Sequence, residues 1–277
     1  MPDPKPSRRK ARTPAEKSLV DFDRPPVNEV VCGIGFLRLQ NLSAAYIGLW
    51  WSENRAQFTK IRTKEPIMAF AEKDEFPIVG RTMFETEDEG QIIQIQPTRF
   101  YYNWVKSRRT NIYPRYSKVY RAFTNHWSKF CDFVSRNNIG DIQPVEYALT
   151  YVNYIPQGEP WQKLSDINKV LPDISWRKTR KRRYLPEPSD LNFRYVFALR
   201  DQPGRLVATI QRGVRKSDEL PILRVELAAS GTTEDGLEKH SPETMSHWFD
   251  GAREAIVLGF LDLTGDTVQI KTWGRKD

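Results

Sequence analysis

The sequence predicts an α+β fold in which antiparallel strands form one or two sheets with long amphipathic helices packed on one side. Three observations predict it. Apolar side chains alternate with polar ones in several short runs, as in Phe100, Tyr102 and Trp104, or Tyr147, Leu149 and Tyr151. Two longer segments, 114–137 and 241–260, instead repeat their apolar residues at steps of three and four. The 277 residues are 39% hydrophobic and 12% aromatic, which is enough to build a core and excludes disorder of the whole chain.

The elements follow in order. Residues 1–24 are polar, basic and rich in proline, and predict a disordered tail ending near Pro25-Pro26. Val30, Val31, Ile34, Phe36 and Leu37 predict a buried strand, with Gly33 and Gly35 permitting a bulge or close packing. Ser43 suits the N-cap of a helix running to about Phe58. Pro66, Pro77 and the acids Glu85, Glu87, Asp88 and Glu89 make 59–90 a long, partly irregular excursion. The runs Gln91–Gln96 and Arg99–Trp104 flank Pro97-Thr98 and read as a hairpin. From Pro114 to Asn137, Tyr116, Val119, Tyr120, Phe123, Trp127, Phe130, Phe133 and Val134 define one face of a helix. A strand at 145–151 completes a β-α-β-β-α-β order, that of a ferredoxin-like unit.

The second half partly echoes the first. Alternating runs start at Phe193, Leu206 and Leu223, and a helix starts at Ser241-Pro242 with Met245, Trp248, Phe249, Ala252, Ile256 and Phe260 on one face. The end, Asp266–Gly274, is open between strand and short helix. Five prolines in 155–190 mark a linker. The predicted organisation is therefore a disordered basic tail at 1–24, a first half at 25–155, a Pro-rich basic linker at 156–190 and a second half at 191–277. Two ferredoxin-like halves and one larger sheet both fit.

No apolar run approaches the roughly 18 residues of a membrane span. The N-terminus lacks the apolar centre of a signal peptide, so a cytoplasmic protein without a membrane partner is expected. Cys32 and Cys131 lie in apolar stretches and are expected as free thiols. The net charge of +8 is unevenly spread. Residues 1–24 hold seven Lys/Arg against four acids, and 177–183 hold six more cations, so the remainder is close to neutral.

No phosphate-binding glycine loop, dinucleotide fingerprint or nucleophile elbow is present. His240 and His247 stand two helical turns apart, too far to share a metal at the usual i, i+4 spacing. Glu226 alternates with Leu223, Val225 and Leu227 and so faces the other side of its strand, while Asp250 and Glu254 fall on the polar side of the last helix. No catalytic residue, cofactor or metal ligand is predicted.

Two features suit a charged partner. Asn103 and Trp104 end an aromatic strand and precede Lys106, Arg108 and Arg109; rings beside cations suit single-stranded nucleic acid, whereas alternate aromatics equally suit a core. Arg177, Lys178, Arg180, Lys181, Arg182 and Arg183 form a run flanked by Trp176 and Tyr184, fit either for a phosphate backbone or acidic protein, or for solubility alone.

Pro26-Val27-Asn28-Glu29-Val30-Val31-Cys32-Gly33, then Gln94 with Asn103-Trp104, then Tyr113-Pro114-Arg115-Tyr116, resemble a sporadically distributed, functionally uncharacterised family of bacterial proteins of about this length. The similarity continues through Trp248–Thr264 to Trp273-Gly274. The basic tail and the 177–183 run fall outside it, and Arg253-Glu254 stands where the family pattern often has histidine before the glutamate. The patchy distribution implies a toxin–antitoxin or phage-defence setting. The expected function is a non-catalytic binding or regulatory protein, of an antitoxin-like or defence-associated kind, that contacts a protein or nucleic acid. Two alternatives stay open: an enzyme with a diffuse polar site, and a single-stranded RNA- or DNA-binding protein using 177–183.

Overall fold

The structure, a computed structural model, describes residues 19–65, 80–107, 109, 111–158, 160–176 and 184–276. After the short strand β1 (Asp21–Phe22) come β2 (Val27–Phe36), helix α1 (Ala44–Asn54), β3 (Lys60–Lys64), β4 (Arg81–Glu85), β5 (Gln91–Gln96), β6 (Arg99–Val105) and helix α2 (Tyr116–Arg136). The chain continues with β7 (Pro144–Pro156), a 3-10 turn at Leu164–Lys169, β8 (Asn192–Ala198), β9 (Arg205–Arg215), β10 (Leu220–Thr232), α3 (Pro242–Leu263), α4 (Asp266–Lys271) and β11 (Arg275–Lys276).

Nine strands form one antiparallel sheet in the order β3-β4-β5-β6-β2-β7-β10-β9-β8, and β1 pairs separately with β11. The fold is thus α+β with antiparallel pairing. The strands do not divide into two separate ferredoxin-like units: β3 and β4 extend the first half, β7 pairs with both β2 and β10, and only a 3-10 turn separates β7 from β8 among the described residues. Alternation within a strand gives its faces but not its neighbours, so the single sheet was not legible.

Opposed residues of an antiparallel pair share a face. Ile93, Tyr102, Cys32 and Leu149 therefore form one row, and Trp104, Val30, Tyr151 and Leu227 another. The long helices cover this apolar face. Phe123 of α2 meets Phe249 of α3 at 5.2 Å between ring centres, Phe249 meets Tyr147 at 5.9 Å, and Phe130 stacks on Phe100 at 5.2 Å. Trp50 joins α1 to the layer through Phe130 and Phe133. The helix predicted to start at Pro114 starts at Tyr116, after Arg115 turns the chain at φ 74°. Ser241 caps α3 reciprocally with Thr244, and Pro242 takes its first turn. α1 stops at Asn54, short of Phe58, which folds back into the core.

Two sequence expectations need correction. Residues 19–24 do not belong to a disordered tail: Phe22 is buried edge-on against Phe260 and Trp273, and β1 is held by β11. One aromatic among charges gave no periodic signal. Nor is 160–176 a loose linker, because Trp161, Leu164, Ile167, Val170, Leu171 and Ile174 are all in the core. Its prolines punctuate a packed segment that has no regular period. Asp266–Lys271, open in the sequence, is helical.

Candidate functional site

The face of the sheet turned away from the helices carries charged and amide side chains interspersed with the aliphatic Val31, Ile92, Val105, Val152 and Val207, and its composition follows from the register. β3 contributes Lys60, Arg62 and Lys64; β4 contributes Arg81, Met83 and Glu85; β6 contributes Arg99, Tyr101 and Asn103. Across the middle run Glu29, Gly33 and Gly35 of β2, Glu146, Ala148 and Thr150 of β7, and Arg224, Glu226, Ala228 and Ser230 of β10. Thr209, Gln211 and Arg205 of β9 and Arg194 of β8 complete it. Small side chains thus floor the centre and larger polar ones rise on either side.

The sheet curls toward this face. Lys64 lies four strands from Glu29 and aligns through the register with Gly35, so a flat sheet would hold the two more than about 19 Å apart, yet its charge has a small influence on the Glu29 carboxyl. Glu85, Gln94, Gln96, Arg99 and Asn103 are all buried although the long helices lie on the other side. At Gly33 a Cβ would come within 2.2 Å of the Tyr101 ring, so the missing side chain lets that ring lie against the floor. The result is a trough.

Its interior is wired by polar contacts. Asn103 Nδ2 donates to Glu29 Oε1 at 2.5 Å, and Gln94 Nε2 donates to Asn103 Oδ1 at 2.8 Å. The chain ends on Gln94 Oε1, a buried acceptor without a partner among the described residues. Burial raises the Glu29 pKa, against the lowering effect of Asn103 and Arg224. Arg99 bonds Tyr101 Oη at 3.1 Å and pairs with Glu146 at 2.5 Å. Arg62 pairs with Glu85, and Arg224 with Glu226. Three of the four acids on this face are therefore matched by their own arginines. Among the described residues, Lys64 and Arg81 at one rim and Arg194 and Arg205 at the other have no ion-pair partner.

At one end the trough meets a cleft of about 1290 Å³ bordered by Asn28, Val105, Tyr154, the cations Lys106, Arg109 and Arg215, and the acids Asp23, Glu87, Asp88, Glu89 and Asp218. This places the sequence-predicted residues. Asn103 lies inside the trough, while Lys106 and Arg109 line the cleft at its end. Trp104 points the other way: it is buried on the helix side, 5.4 Å from Tyr113. It is a packing residue and offers no ring for stacking, because neighbours in a strand face opposite sides. Arg108 and the run Arg177, Lys178, Arg180, Lys181, Arg182 and Arg183 lie outside the described residues. Sequence reasoning missed Lys64, Arg81, Arg194, Arg205, Tyr101 and Tyr154. For Tyr101, Arg194 and Arg205 the signal was the polar half of an alternating run, whereas Lys64, Arg81 and Tyr154 lay outside the runs the sequence showed, and joining them required the strand order.

The histidines occupy separate surroundings. His126 is buried between Phe58 and Tyr102, and desolvation, followed by the nearby Lys129, depresses its pKa to about 4. His240 Nδ1 meets Tyr147 Oη at 2.5 Å, and His247 is exposed on α3. Cys32 is buried; Cys131 is half-buried, its thiol pushed up to about 12 by desolvation first. Among the described residues no three His, Cys, Asp or Glu groups are placed to hold a metal ion, and no helix is long and apolar enough to cross a membrane. No family model matches the chain, and no curated protein matches it.

Proposed function

We propose that this protein is a non-catalytic binding protein that holds a single-stranded nucleic acid in the trough on the face of its sheet turned away from the helices. The observation that carries the reading is the placement of cations that have no ion-pair partner among the described residues: Lys64 and Arg81 on one rim, Arg194 and Arg205 on the other, and Lys106 and Arg109 where the trough opens into the cleft. A flexible phosphate chain can follow such rims, whereas a rigid duplex fits a curled sheet poorly. Between the rims, Tyr101 and Tyr154 offer rings, and Thr150, Thr209 and Gln211 offer an amide and hydroxyls for base edges. The floor of small residues gives the strand room. An antitoxin-like or defence-associated role, which the family resemblance implies, would have this contact as its physical basis.

The test is fluorescence anisotropy with a labelled single-stranded RNA at several salt concentrations. Replacing Lys64, Arg81, Arg194 and Arg205 together by serine removes four phosphate contacts and should reduce the slope of log affinity against log salt by about 3. Serine replacement of the six cations in 177–183 separates the trough from that run. The reading holds if the trough variant loses the salt-sensitive binding, and fails if only the run variant does or if the wild type binds no single strand.

A further inference from the structure

The two edges of the sheet are built differently. β3 ends the sheet with three cations, Lys60, Arg62 and Lys64, and a single large apolar residue, Ile61. Charge of that kind keeps an edge from pairing with another chain. β8, at the other end, reads Asn192-Phe193-Arg194-Tyr195-Val196-Phe197-Ala198, with one charge among four large apolar residues. Phe193, Val196 and Phe197 are 37%, 51% and 44% exposed. Phe193, Tyr195 and Phe197 share the helix-side face, and the rings of Tyr195 and Phe197 stack at 6.2 Å. The main contacts of α3 with the sheet are to β7 and β10; Tyr195 packs partly against the core, while Phe193 and Phe197 beside it stay exposed. Among the described residues no element pairs with the outer edge of β8.

We propose that a second copy of this chain pairs with that edge, β8 against β8, antiparallel about a two-fold axis through Tyr195. The strand is self-complementary in this register. Phe193 lies opposite Phe197 of the partner subunit, Tyr195 opposite Tyr195 of the partner subunit, and Phe197 opposite Phe193 of the partner subunit. All six rings then form one row on one face, with aromatic cross-strand pairs at every position. On the other face Arg194 stands opposite Val196 of the partner subunit, so the only charge meets an aliphatic side chain. Competing registers are worse. Centring on Arg194 sets two guanidinium groups face to face, and a one-residue slip puts the two aromatic rows on opposite sides of the sheet. The contact is isologous and closes, giving a dimer and not a filament. A seven-residue strand is smaller than the roughly 20–30 residues a side of a standard interface, so association is weak, and the net charge of +8 on each copy makes it stronger at higher salt.

Sedimentation velocity on the full chain, from about 1 to 100 µM so as to span the micromolar range, reads the dimer. The expected result is a concentration-dependent shift to twice the mass, enhanced by salt and abolished by Tyr195→Lys, which places two ammonium groups at the axis. Circular dichroism checks the fold of that variant. Cysteine pairs report the register independently: under mild oxidation Phe193→Cys with Phe197→Cys should cross-link two chains, and either change alone should not. A wild type that stays monomeric throughout, a dimer that survives Tyr195→Lys in a folded variant, or single-cysteine cross-linking as efficient as the double would each overturn the proposal.

Discussion

His126 makes acid stability a direct readout of the helix–sheet packing. Its ring sits 5.4 Å from Phe58 and 5.5 Å from Tyr102, and among the described residues its Nδ1 has no hydrogen-bond partner. The folded state therefore holds it neutral, with a pKa of about 4 against an ordinary value of 6.5. In the unfolded chain the imidazole takes up a proton below 6.5, while the folded chain resists it until about 4. Its contribution is intact above pH 6.5 and is lost as pH falls from there toward 4. Linkage gives a loss of about 2 kcal/mol at pH 5 and about 3 kcal/mol at pH 4. Glu29, whose raised pKa acts in the opposite sense, also contributes to the pH dependence, so the comparison is with His126→Phe, which keeps a ring but cannot protonate. Urea unfolding at pH 7.5 and 5.0 should show the wild type losing about 2 kcal/mol more than the variant over that interval. Parallel losses in the two proteins would refute a buried neutral imidazole at this position.

Glu29 titrates within the trough with a raised pKa, so a polyanion should bind progressively less well as pH rises and its carboxyl ionises. Glu29→Gln should remove that pH step in an anisotropy titration while leaving the salt dependence in place. Phe22→Ala strips the aromatic anchor of β1 and should cost roughly 3 kcal/mol in chemical unfolding, since its contacts with Phe260 and Trp273 are lost together. An unchanged unfolding midpoint would return residues 19–24 to the status of a tail.

The elements with strong period were legible in the sequence. The α2 pattern reflects one long face that includes Tyr116, Phe123 and Phe130, all of which are buried. The hairpin around Pro97-Thr98 is found with Gln96 opposite Arg99. What stayed hidden depended on neighbours. Trp104 and Asn103 are adjacent in the chain, yet one packs under the helices and the other bonds Glu29, 74 residues away. The trough is drawn from strands spread between Glu29 and Glu226, and no local pattern announces that β2 lies between β6 and β7. Trp161 and Ile174 show the same limit: their burial comes from long-range packing around a proline-punctuated segment and not from any repeat.

The most direct measurement of the trough as a binding surface is ultraviolet cross-linking of the full chain to a single-stranded RNA, with the attached peptides mapped by mass spectrometry. Adducts should concentrate on the peptides carrying Tyr101 and Tyr154 and be depleted in the variant lacking Lys64, Arg81, Arg194 and Arg205. Adducts confined to the helix-covered side, or to 177–183, with Tyr101 and Tyr154 unlabelled, would contradict the account.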